Sequence, residues 1–163
     1  MKPTQSLVSC VAFLLFLISG IGCYETTFAL GDTSAAKVDA GLCGKWTFAG
    51  FGTDGNETAT LLVRDLDGKQ YDMEWTPGGT DAKPLKLTGY VAMIKNVSFM
   101  HARGLEDDGK PGVKHMIIRF DRDGDQLTIS HLDPAFFNDK KIDSDASLRA
   151  LIEKSLDDAA MYT

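Results

Sequence analysis

Three aspartates at alternate positions, Asp121, Asp123 and Asp125, stand at the first, third and fifth places of a calcium-type loop, where spaced carboxylates converge on one hard cation. The rest of such a loop is absent, because Gln126 replaces its glycine and Leu132 its closing bidentate glutamate. These residues read instead as a hairpin turn, as does Asp65-Leu66-Asp67-Gly68, while Glu106-Asp107-Asp108-Gly109 reads as a charged surface turn. His101, His115 and His131 have the side chains suited to acid-base work near neutrality or to metal ligation. No short-spaced ligand pair occurs among them. Strand parity groups His115 with Val113, Ile117 and Arg119, away from the core series Met116, Ile118 and Phe120, so an incidental distribution is expected. No serine lies in a nucleophile elbow, and Cys43 has no local partner to activate its thiol. Gly41, Gly44, Gly50, Gly52 and Gly55 lack both the spacing and the following helix of a phosphate cradle. The expectation is a protein that is not an enzyme and holds no cofactor or metal.

A chain of 163 residues, 44% apolar, allows one compact domain and a short appendage. With 17 basic against 23 acidic side chains its net charge is -6, which argues against nucleic acid as a partner, since that affinity comes from clustered Lys and Arg.

Lys2 followed by the apolar run from Leu7 to Ile18 has the charge and length of a signal peptide, and is too short to span a bilayer. Residues 1–22 are therefore read as a signal. Gly20-Ile21-Gly22-Cys23 resembles the lipobox of bacterial lipoproteins, which implies acylation of Cys23 and a lipid-anchored protein of the cell envelope. The other reading pairs Cys23 with Cys43 in a disulfide. Residues 23–40, rich in small and polar side chains without apolar period, are expected to form a tether, and residues 41–163 the folded domain.

That domain reads as strands. In Tyr71-Asp72-Met73-Glu74-Trp75-Thr76 the apolar residues alternate with polar ones, so one face meets a core and the other water. Ala59 to Arg64 alternates likewise, and the Asp65 to Lys69 turn joins the two into a hairpin. Met116, Ile118 and Phe120, the Asp121 to Asp125 turn, then Leu127 and Ile129 form a second hairpin. Leu85 to Ile94 and Val97 to His101 bend at Lys95-Asn96, and Lys45 to Ala49 adds a strand, giving at least seven. After Leu132 the period changes. Asp133-Pro134 opens a short helix, and Leu148, Leu151, Ile152 and Leu156 form the apolar stripe of a longer one, capped by Ser144 or Asp145. Sequential strands closed by an amphipathic helix favour a small antiparallel up-and-down β-barrel, with a two-sheet sandwich as the alternative.

Gly44-Lys45-Trp46 resembles the G-x-W signature of lipocalins. Together with the Asp-Gly hairpins, Leu132-Asp133-Pro134-Ala135-Phe136-Phe137 and the closing helix, it makes residues 41–160 similar to small lipocalin-like lipoproteins of bacteria. The resemblance implies a cup-shaped barrel whose mouth binds a ligand. Tyr71, Met73, Trp75, Tyr90, Phe99, Met116 and Phe120 are the expected lining for a small hydrophobic ligand, within a larger aromatic and Met set that includes Trp46, Phe48 and Met93. The alternative is a filled barrel serving as a protein-interaction or inhibitor module through acidic loops such as Leu105 to Lys110.

Overall fold

A computed structural model describes residues 24–51, 57–78, 83–106 and 109–163. The strands are β1 (Glu25–Thr26), β2 (Gly44–Phe51), β3 (Glu57–Asp65), β4 (Tyr71–Thr76), β5 (Leu85–Ile94), β6 (Val97–Gly104), β7 (His115–Asp123) and β8 (Gln126–His131). Two α-helices follow, α1 (Pro134–Asn138) and α2 (Asp145–Lys154). Every pairing is antiparallel, and β2 to β8 follow one another up and down, as the alternation and turn spacing predict.

The sheet order is β1-β7-β6-β5-β4-β3-β2, with β8 also paired to β7. The outer edge of β7 is divided: Thr26 and Glu25 of β1 pair with His115 and Met116, and β8 pairs with Ile118 to Asp123. No ladder joins β2 to β8 among the described residues, so the sheet is open where a closed barrel was expected.

Local chemistry accounts for the turns. Asp65 accepts the Gly68 N–H at 2.7 Å, and Asp67 accepts from Lys69 and Gln70 at 2.9 and 2.7 Å, which fixes the β3–β4 connection. The β5–β6 bend turns through Lys95, which takes a left-handed φ of 54°. At α1, Asp133 caps Ala135 and Pro134 occupies the first turn; Ser144 and Ser147 form a reciprocal capping box at α2.

Each face of the sheet carries a core. On one face Tyr90, Ala92, Ile94, Phe99 and Ile117 pack under Phe137, Leu148, Ile152, Leu156 and Met161 of the C-terminal segment. On the other, Val63, Tyr71, Met73, Leu87, Ala102 and Phe120 gather with Leu42.

Residues 24–40, expected as a tether, pack on the sheet as a strap, against the first face as far as Ala36 and against the second at Val38. Leu30 is fully buried in the helix-side core, and Tyr24 stacks on Phe137 at 4.1 Å. Further along, Val38 N–H bonds the Gly68 carbonyl and Asp39 N–H bonds the Tyr71 hydroxyl. Isolated apolar anchors and backbone bonds hold this segment, a mode of packing that leaves no periodic pattern.

Candidate functional site

The second face is curled around an apolar cavity of about 330 Å³. Its wall draws a side chain from every strand from β2 to β8: Trp46, Leu61 and Val63, Met73 and Trp75, Leu85 and Leu87, Met100 and Ala102, Met116, Ile118 and Phe120, then Leu127 and Ile129. The two free-edge strands, β2 and β8, therefore face one common space. Among the described residues only His131 brings a polar side chain to the lining. Burial lowers its pKa, so the ring is neutral in the fold near neutral pH.

The floor is set by the segment before β2. Asp39 accepts the Gly41 N–H and caps a single 3-10 turn, Ala40–Leu42, which places Leu42 against the cavity. Gly44 then takes a φ of 145°, a conformation that side chains disfavour, and the chain enters β2 with Trp46 facing inward. The indole N–H of Trp46 returns to the Leu42 carbonyl at 2.9 Å, and the Arg122 guanidinium crosses Gly41 while pairing with Asp39 at 3.6 Å.

Of the lining residues expected from sequence, Met73, Trp75, Met116 and Phe120 face the cavity, and Tyr71 is buried in the core beside it. Tyr90 and Phe99 do not; they lie in the helix-side core, with the Tyr90 hydroxyl donating to the Gly31 carbonyl at 2.8 Å. The reason is register. Tyr90 and Phe99 share parity with Ala92, Ile94 and His101, while Leu87, Met100 and Ala102 take the cavity side. Leu85, Leu87, Met100 and Ala102 join the wall beyond the expected set, and their two-residue spacing carries the signal.

The histidines are not scattered as expected. His101 and His115 stand together on the helix side with ring centroids 4.2 Å apart, and His131 lines the cavity. Burial pushes His101 down to about 4, the His115 imidazole and Arg103 adding to the effect, and burial with Arg103 lowers His115 as well. Among the described residues no group of three or more His, Cys, Asp or Glu side chains is placed to hold a metal ion. Asp121, Asp123 and Asp125 belong to the β7–β8 hairpin, and Arg119 bonds Asp121 at 3.2 Å. Cys43 is half-buried and forms no disulfide among the described residues; Cys10 and Cys23, and with them the signal, lipidation and disulfide readings, lie outside the described residues. No helix among the described residues is long and apolar enough to cross a membrane.

Comparison with protein-family models, with curated proteins and with solved structures finds no match for this chain.

Proposed function

We propose that the protein is a non-catalytic, envelope-tethered, lipocalin-like module that holds one small apolar or amphipathic molecule in its curled sheet. The observation that carries this reading is the cavity of about 330 Å³ with its almost wholly apolar wall. Ligand sites fall mostly between about 300 and 1,000 Å³ and are lined by hydrophobic and aromatic side chains with few polar groups. Met73, Met100 and Met116 lend the wall adaptable, polarizable surface, and Trp46 and Trp75 lend flat rigid surface. Residues 1–22 would direct export, and acylated Cys23 would hold the domain at the envelope, directly before the strap.

Titration with the uncharged fluorophore N-phenyl-1-naphthylamine tests the reading. One saturable site is expected, and Ala102→Phe, which fills the cavity from a fully buried wall position, should abolish it while leaving the fold intact. A fluorescence signal that never saturates, or that survives Ala102→Phe unchanged, overturns it.

A further inference from the structure

Two imidazoles stand together where the N-terminal strap crosses the sheet. Ala102 of β6 pairs with Met116 of β7, which sets His101 diagonally beside His115, and Tyr90 of β5 flanks His101 with ring centroids 4.8 Å apart. His101 is 1% exposed, and among the described residues the buried His101 Nε2 and His115 Nδ1 have no hydrogen-bond partner. Thr26 of β1 is register-paired with His115, and His101 hydrogen-bonds the Phe28 backbone. The strap is anchored at its two ends, by Tyr24 stacked on Phe137 and by fully buried Leu30, and is held more lightly between them. β1 contributes two paired residues; beyond them Ala29 N–H donates to Asp145 at 2.8 Å, and Arg149 donates to the Leu30 carbonyl at 2.8 Å.

We propose that the His101–His115 pair is a proton-operated clasp: acidification charges the imidazoles and lifts residues 25–29 from the edge of β7 while the anchors at either end and the rest of the sheet stay folded. The surroundings favour this outcome. Tyr90 on β5 is a neutral phenol, Arg103 on β6 opposes a second positive charge, and Asp145 on α2 is the carboxylate that favours one. Asp145 already accepts the Ala29 N–H, and the Glu25–Lys114 pair at the strap's outer edge is closed on itself at 3.0 Å. Asp32 on the strap acts on Tyr90, and Arg149 is occupied by the Leu30 and Met93 carbonyls. Two imidazolium rings and Arg103 would thus face one engaged carboxylate, with His101 shut off from water and His115 partly so.

Lifting the strap returns both rings to water and to their ordinary pKa near 6.5. The opening equilibrium therefore grows as pH falls below that value, by up to about 300-fold from His101 alone, given its displacement to about 4. A short edge strand opens locally at far lower cost than the seven-strand ladder behind it. This inference stands apart from the ligand reading, because the clasp lies on the opposite face of the sheet.

Amide hydrogen exchange of the full chain, corrected for the intrinsic pH dependence of exchange, tests it. Between pH 7 and pH 5, the amides of residues 25–29 should gain at least tenfold in exchange, and peptides from β3 and β4 should not. In His101→Gln the gain should fall below threefold; should that variant fail to fold, His115→Gln, at a less buried ring, should still reduce it. Equal gains throughout the sheet, no gain in the strap, or an unchanged gain in the variants would each overturn the clasp.

Discussion

The Trp46 indole donates to the Leu42 carbonyl at 2.9 Å, and both residues line the cavity, so one hydrogen bond ties the Ala40–Leu42 turn to β2. Trp46→Phe keeps most of the apolar contact and loses the bond, which should cost about 0.5–1.5 kcal/mol. Trp46→Ala also strips one wall, yet the indole is only half-buried, so its cost should stay below the roughly 3–5 kcal/mol of a core tryptophan. Chemical denaturation of both variants checks the order.

Leu30 is fully buried between the sheet and the C-terminal helices. Leu30→Ala should therefore destabilise the domain by about 2–5 kcal/mol, as for any core leucine. A segment acting only as a tether would lose nothing measurable in the same denaturation experiment.

A Cβ at Gly41 would lie 2.6 Å from Arg122 Nη2, a contact relieved only if the guanidinium swings away from Asp39. Because the obstacle is the end of a flexible side chain, Gly41→Ala should cost only about 1 kcal/mol. In the Arg122→Ala background that cost should largely vanish, which a double-mutant cycle measures directly.

The strands whose faces differ in polarity were legible in the sequence. Tyr71, Met73 and Trp75 alternate with Asp72, Glu74 and Thr76, and the Asp65 and Asp67 carboxylates announce the turn before them. In β5 and β6 both faces are apolar, one toward the helix-side core and one on the cavity. Alternation there marks a strand without saying which side is which, and Tyr90 and Phe99 were assigned to the wrong face for that reason. The adjacency of His101 and His115, fourteen positions apart, depends on the stagger of β6 against β7, which no local pattern encodes. The strap left no trace because Leu30, Ala36 and Val38 anchor it singly.

Acid should weaken the fold in a defined window. His101, His115 and His131 are all held below their ordinary value, so each contributes stability that is complete above about pH 6.5 and is lost as pH falls toward its folded value. For His101, displaced to about 4, the loss approaches roughly 3 kcal/mol near pH 4. At the other end Tyr90, raised to about 12 chiefly by burial, favours the fold below pH 10 and surrenders that contribution as pH climbs to 12. Urea midpoints across this range should form a dome, and His101→Phe should flatten its acid side.

Native mass spectrometry of the full chain, gently extracted from the membranes of a bacterium producing it, tests the central claim most directly. The account predicts a reproducible non-covalent adduct of a few hundred daltons, beyond any covalent lipid, that is absent from Ala102→Phe. A bare protein mass for the native chain, or an adduct unchanged in the filled variant, would contradict it.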